Sequence, residues 1–261
     1  MDKLTFQKHR KILQNEMDDK FKIDTIRFTH NPQQLCYLAM HQDHSEKFVS
    51  EEIVQNNFYI SETEAGKRII RNALKFKHWG IIEHPQISFN IGYFPHSTMV
   101  QARTHRISYS FDVQSLRYTS KHIEKVINDE IDIENIFYFR PIGKYFDRNG
   151  NKYEYTENER EIDKKDCFEN CIKYVKRLEK GYAPEHARDK LNLNNIRQHF
   201  FMSCNLLSLI HFINLRIQKN AQWEIQCMSE LLLQQLENWC PEVADWYFSE
   251  NKEYEKKKRI L

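Results

Sequence analysis

Apolar residues follow two different periods along this chain. The clearest period of two is in residues 86–94, where Ile87, Phe89, Ile91 and Tyr93 alternate with polar or small neighbours, the pattern of a half-buried strand. Residues 24–29 read as a shorter strand, and Asn31–Pro32 behind it gives an N-cap and a first helical proline for a helix reaching His41. Residues 3–20 are charged with sparse apolar positions (Phe6, Ile12, Leu13, Met17) and predict a surface helix. Residues 42–60 are weakly patterned, a connection holding a short helix. Ser61 and Glu64 then form a capping box for a helix carrying Ile69, Ile70, Ala73, Leu74 and Phe76 and ending near Gly80.

Beyond the strand at 86–94 the spacing predicts a helix over 98–107, so that Gln101 and Arg103–Arg106 fall near its C-terminal half, and a loop over 108–116. Residues 120–156 read as a β-rich excursion: 136–141 is strand-like, and Asn149–Gly150 between aromatic runs is a hairpin signal, giving a lid or inter-subunit arm over about 136–156. An amphipathic helix over 158–180 stops at Gly181, with Phe168, Cys171, Ile172, Val175 and Leu178 as its stripe. Pro184 starts a short helix, and residues 200–218 and 221–239 read as two longer apolar helices before a charged tail at 253–261. The expected fold class is α+β: one domain spanning 1–261, with a mixed or antiparallel sheet flanked by long helices.

Composition narrows the function. With 261 residues and 40% apolar content the chain can bury a sizeable core. Its 39 basic and 37 acidic residues nearly balance, so a basic site has to come from local clustering, which disfavours a nucleic-acid-coating or membrane-surface role. No apolar run is long enough to span a bilayer and the N-terminus lacks a signal-peptide core, which together read as cytoplasmic. Six glycines include no GxGxxG and no P-loop, so a dinucleotide would bind without a Rossmann motif.

The six cysteines form no Cys-x-x-Cys pair. Cys167 and Cys171 lie four apart on one helical face, where buried structural thiols are the expectation. His78, Glu83 and His84 cluster at a helix-to-strand junction, but their spacing does not put three ligands on one face, and no metal site is expected.

Local clustering is strongest at 101–119, QARTHRISYSFDVQSLRYT. Arg103, His105, Arg106 and Arg117 sit among Gln101, Thr104, Ser108, Ser110, Gln114 and Ser115, with Asp112 alone to neutralise them. Guanidinium forks among hydroxyls and amides suit a phosphate. An exposed, solvated turn is the plain alternative. In the apolar run 200–218, Asn205, Ser208, Phe212 and Arg216 share a face at 100° per residue and His211 flanks it; polar groups there need partners, whether ligand or buried network.

In these two segments the chain resembles the flavin-dependent thymidylate synthases. His105–Arg106 and Ser115-Leu116-Arg117-Tyr118 match the ends of that family's signature; Thr104 stands where an Arg is usual, with Arg103 one place earlier, and the eight residues between Arg106 and Ser115 are one more than usual. Downstream, Asn205, Ser208, Asn214-Leu215-Arg216 and Ala221-Gln222-Trp223-Glu224-Ile225 match in order, while Leu207 replaces a flavin-contacting Arg and His211 an Asn.

The resemblance implies the family's fold and a homotetramer with active sites assembled from several chains. It implies FAD, reduced by NADPH, and transfer of a methylene group from methylenetetrahydrofolate to dUMP. Gln101, Arg103, Gln114, Ser115, Arg117 and Arg188 would hold dUMP, with Arg216 binding and ionising its uracil ring as the catalytic group. His78, Gly80, Arg103, Thr104, His105, Arg106, Asn205 and His211 would bind FAD. Two rivals stand beside this reading. One is a single-stranded nucleic-acid-binding domain stacking bases on Tyr109, Phe111 and Tyr118; the other is a helical scaffold whose polar residues are structural.

Overall fold

A computed structural model describes residues 3–56, 64–147 and 149–250. The order is α1 (Lys3–Glu16), β1 (Lys22–Phe28), α2 (Pro32–His44), α3 (Val49–Asn56), α4 (Glu64–Lys75), β2 (Gln86–Pro95), α5 (His96–Ala102), β3 (Tyr109–Val113), α6 (Leu116–Thr119), α7 (Lys121–Ile127), β4 (Gly143–Phe146), β5 (Lys152–Tyr155), α8 (Glu157–Glu179), α9 (Pro184–Ala187), β6 (Arg197–Asn205), α10 (Leu206–Arg216), α11 (Trp223–Trp239) and α12 (Pro241–Glu250). The α+β class holds, and the sheet is antiparallel.

Four strands in the order β1-β2-β6-β3 form the main sheet. Its register sets three apolar rows side by side: Ile87–Cys204–Tyr109, Phe89–Met202–Phe111 and Ile91–Phe200–Val113. In the two central strands these side chains are buried, and α10, α11 and α1 pack into that core together with residues of α2, α4, α5 and α12. The alternate positions point the other way. Ser88 bonds Ser203 at 2.8 Å there, and Asn90, Phe201, Ser110 and Asp112 are exposed. One face of the sheet is thus helix-covered and the other is uncovered by any described element. A second core joins α7, α8 and α9 around Phe137, Phe139, Cys167, Cys171 and Tyr174.

Several sequence expectations are corrected here. Residues 200–218 are not one helix: Arg197–Asn205 is the strand β6, and the helix begins at Leu206. Phe200, Met202 and Cys204 are buried while Phe201 is exposed, so the alternation was present but continued without a turn into the next apolar run. Residues 109–113 form the edge strand β3, not a loop, because Tyr109, Phe111 and Val113 complete the rows above. The helix expected over 98–107 is α5 and ends at Ala102, leaving Arg103–Arg106 in the turn after it.

Residues 120–156 contain a helix, α7, and the 136–141 segment makes only a bridge, Phe137 to Ile196; the β4–β5 hairpin forms as expected, with Gly150 at φ +85°. α4 ends at Lys75 rather than near Gly80, and Phe76, just beyond it, is exposed; Phe168 is likewise off the buried stripe of α8. Tyr93 breaks the alternation of β2 at a bulge, with φ +69°. Asn31 occupies the N-cap of α2 in a left-handed conformation and makes no side-chain cap bond. Ser61 and the tail at 253–261 lie outside the described residues.

α1 is more than a surface helix, since Phe6 and Leu13 are buried. Its Arg10 forks onto Glu230 of α11 (Nε–Oε2 2.7 Å) and Glu237 (Nη2–Oε2 3.0 Å), with the Glu230 side chain wholly buried. Arg197, also buried, donates to Asp18 at 2.6 Å and to the carbonyls of Glu134 and Tyr93. Both arginines are spent on architecture.

Candidate active site

The turn after α5 lies against one face of α10. Thr104 Oγ1 donates to the Gln101 carbonyl at 2.7 Å, and Ser208 Oγ donates to the Ile107 carbonyl at 3.1 Å. Tyr109 adds a bond from its hydroxyl to the Ser208 carbonyl at 2.6 Å. Four and eight residues beyond Ser208 on the same helix face come Phe212, whose ring lies 4.6 Å from His105, and Arg216. Arg216 donates from Nε to His105 Nε2 at 2.9 Å and from Nη2 to Thr104 Oγ1 at 3.0 Å. His105 is lowered to about 4 by burial, by the Arg216 charge and by His211. A cation is therefore oriented by two neutral acceptors.

Around this clamp the remaining predicted groups differ in status. The side chains of Arg103 and Arg106 are exposed and make no hydrogen bond or ion pair among the described residues, and His211 is exposed with its ring 6.2 Å from that of His105. Gln101 donates through its amide to Gln222 at the start of α11.

A second group gathers at the other end of β3. Gln114 exchanges bonds with His199, accepting from its backbone N–H at 3.3 Å and donating its own to the His199 carbonyl at 2.9 Å. Ser115 is the N-cap residue of α6 without a side-chain cap bond, and Arg117 on α6 is exposed with its guanidinium 5.6 Å from the Tyr118 ring. α6 packs against α9, whose C-cap is Arg188. Gln114, Leu116, Thr119, His122 and His199 help line a cleft of about 300 Å³ here. Desolvation and then His122 lower the His199 imidazole.

His78 and Gly80 form a third group, on the short 3-10 turn Trp79–Glu83 that packs on α10. They line a cleft of about 320 Å³ with Ala39, Asp43 and His84. A side chain at Gly80 would meet nothing within 4 Å among the described residues, so their packing does not require glycine there. Asn205 stands close by, because the Leu206 amide donates to the Pro85 carbonyl at 2.9 Å. Its Oδ1 accepts from the Ser208 amide at 2.8 Å, so Asn205 caps α10 rather than riding on its face, a cap worth about 1 kcal/mol.

The structure therefore joins Thr104, His105 and Arg216, packs the helix of Arg117 against α9, which runs into Arg188, and sets these two segments at opposite ends of β3, a strand of roughly 13 Å at strand rise. Among the described residues no group of three His, Cys, Asp or Glu could hold a metal ion, and no helix is long and apolar enough to cross a membrane. All six cysteines are free and buried, and burial raises the thiols of Cys36, Cys204, Cys227 and Cys240, so none of these four is poised as a nucleophile. Tyr109 is tied to α10 and packs beside Phe111 and Phe212, unlike a stacking platform open to bases. Gln222 and Glu224, both at the start of α11, were matched to the family in sequence but given no role there.

Guanidinium and imidazole groups arranged by an antiparallel α+β scaffold, without a glycine-rich phosphate loop, define an anion-binding enzyme outside the Rossmann class. The family model described as "Thymidylate synthase complementing protein" matches residues 25–242. The chain is 30% identical over 240 residues to the flavin-dependent thymidylate synthase of Haloarcula marismortui, covering 88% of this chain and 96% of that one. The corresponding enzyme of Halobacterium salinarum is 28% identical over 248 residues, again with 88% and 96% covered. The chain belongs to the flavin-dependent thymidylate synthase family. Its fold is shared with thymidylate synthase X from Helicobacter pylori, crystallised with FAD and dUMP (TM-score 0.66, 15% identity, 89% of this chain and 100% of that one). A UMP/dUMP methylase, PolB, from Streptomyces cacaoi bound with 5-Br dUMP also shares it (TM-score 0.70, 18% identity, 90% and 97%).

Proposed function

We propose that the chain converts dUMP to dTMP by reductive methylation, with methylenetetrahydrofolate as carbon donor and NADPH as the reductant of a bound FAD. The observation that carries this reading is the Arg216 clamp: a guanidinium oriented by His105 and Thr104, in a chain that also carries exposed arginines at the signature turn and on α6. Arg216 would hold the uracil ring and stabilise negative charge as N3 loses its proton, a task for a group that stays protonated. Gln101, Gln114, Ser115, Arg117 and Arg188 would fix phosphate and sugar, and Arg103 would serve both ligands.

The donor set suits FAD. Arg103 and Arg106 are exposed cations whose side chains have no partners among the described residues, Gly80 leaves room for close approach, and the cleft beside it carries His78. With Thr104, His105, Asn205 and His211 they would orient the cofactor, which supplies the electron transfer when bound.

The separation of Arg216 from Arg117 and Arg188 supports a homotetramer in which each site draws on several chains, and the uncovered sheet face offers surface for that association. In this reading the chain is one domain, the β4–β5 hairpin is its lid or inter-subunit arm, and the enzyme works in the cytoplasm beside its nucleotide substrate. The test is flavin content of the purified protein together with NADPH oxidation and dTMP formation. Bound FAD and NADPH oxidation that rises with dUMP and methylenetetrahydrofolate are expected; flavin-free protein that binds oligonucleotides tightly would overturn the proposal.

A further inference from the structure

We infer that Glu224, acting through Gln222, is a positioning residue that fixes which way the Gln101 amide faces and so makes Gln101 present its carbonyl oxygen to a donor on the nucleotide. This deepens the dUMP reading above and rests on it. Gln222 Nε2 donates to Glu224 Oε2 at 2.6 Å and to Ser97 Oγ at 3.2 Å, and Gln222 Oε1 accepts from Gln101 Nε2. An ionised carboxylate only accepts, so the Gln222 amide cannot turn its oxygen toward Glu224 without loss. Both of its N–H protons are thus committed, and its oxygen faces Gln101. Gln101 must answer with an N–H, and its own side-chain oxygen, Oε1, has no partner among the described residues.

Glu224 is itself held. It is 1% exposed and faces Arg140 at 3.5 Å, so its charge is buried against a cation. Arg140 is in turn pinned by the hairpin: its Nη1 donates to the Tyr153 hydroxyl at 2.7 Å, and its guanidinium lies 5.0 Å from the Tyr145 ring. A chain of contacts runs from the β4–β5 hairpin through Arg140, Glu224 and Gln222 to Gln101. The donors a uridine nucleotide offers to such an oxygen are the imide N–H of the base and the sugar hydroxyl. An inverted Gln101 would set an NH₂ against them.

The test is steady-state kinetics of the FAD-loaded enzyme as a double-mutant cycle. Glu224→Gln frees Gln222 to flip and is expected to raise KM for dUMP about 10-fold with kcat within about 2-fold, FAD content unchanged, and no further rise in a Gln101→Ala background. A merely structural role would lower folded yield or FAD content, and its effect would multiply with that of Gln101→Ala. Unchanged KM in Glu224→Gln, or multiplying effects, overturns the inference. Should Glu224→Gln fail to fold, Gln222→Met is held to the same KM rise and the same loss of effect beside Gln101→Ala, and is overturned in the same way. A wild-type enzyme without dUMP-dependent turnover removes the activity reading and this inference together; normal turnover with an indifferent Glu224 removes only this one.

Discussion

Arg216 Nε lies 2.9 Å from Nε2 of His105, so that nitrogen must offer a lone pair and the ring must carry its proton on Nδ1. Protonating His105 would place two cations face to face and break the clamp.

This pair makes the site acid-sensitive in a defined window. His105 is lowered from 6.5 to about 4, first by burial and then by Arg216. Between those values the unfolded chain takes up a proton that the folded chain refuses, so this contribution is full above pH 6.5 and is lost as the pH falls through about 4. Imidazole NMR should give a His105 midpoint near about 4, moving upward in Arg216→Ala. A midpoint at the ordinary value in the wild type would contradict the clamp.

Shared sites can be tested by mixing. Arg117→Ala and Arg216→Ala are each expected to cost about 100-fold or more in turnover on dUMP with FAD retained. Tetramers formed from both variants together would contain intact pairs at roughly a quarter of sites and recover activity to match. Sites built within single chains would recover none. Arg216→Lys should rescue poorly, because an ammonium cannot reproduce the two directed bonds to His105 and Thr104.

Stability should depend on the Arg10 fork. Removing it leaves the wholly buried Glu230 carboxylate without its cation, and Arg10→Ala should cost about 3–5 kcal/mol in denaturant unfolding. Pairing it with Glu230→Gln should recover part of that loss; a change under about 1 kcal/mol for Arg10→Ala would show the pair to be energetically idle.

Much of this architecture was legible. The strand at 86–94, the hairpin at Asn149–Gly150 and the helix after Pro32 all announce themselves through alternation or turn chemistry. β6 did not, because Asn205 ends the strand and caps the next helix in a single residue, leaving no turn between two apolar runs. β3 was obscured by its own chemistry: Tyr109, Phe111 and Val113 alternate with Ser110 and Asp112, yet the surrounding arginines suggested a binding loop. The cluster of arginines was visible as composition, but its partition was not, since nothing local says that Arg117 and Arg216 occupy opposite ends of a strand. Gln222 and Glu224 stood out as a match to the family, but their roles were hidden for a similar reason, as their partners come from α5 and from Arg140.

That one-residue hinge between β6 and α10 has a consequence for how the protein can change. Strand and helix form a stiff elbow, with His199 near one tip and Arg216 at the other. Inserting a single amino acid at the elbow would rotate α10 by about 100° and swing Arg216 off Thr104 and His105. Most connections tolerate lengthening; this one cannot, and natural variation in chain length should fall elsewhere.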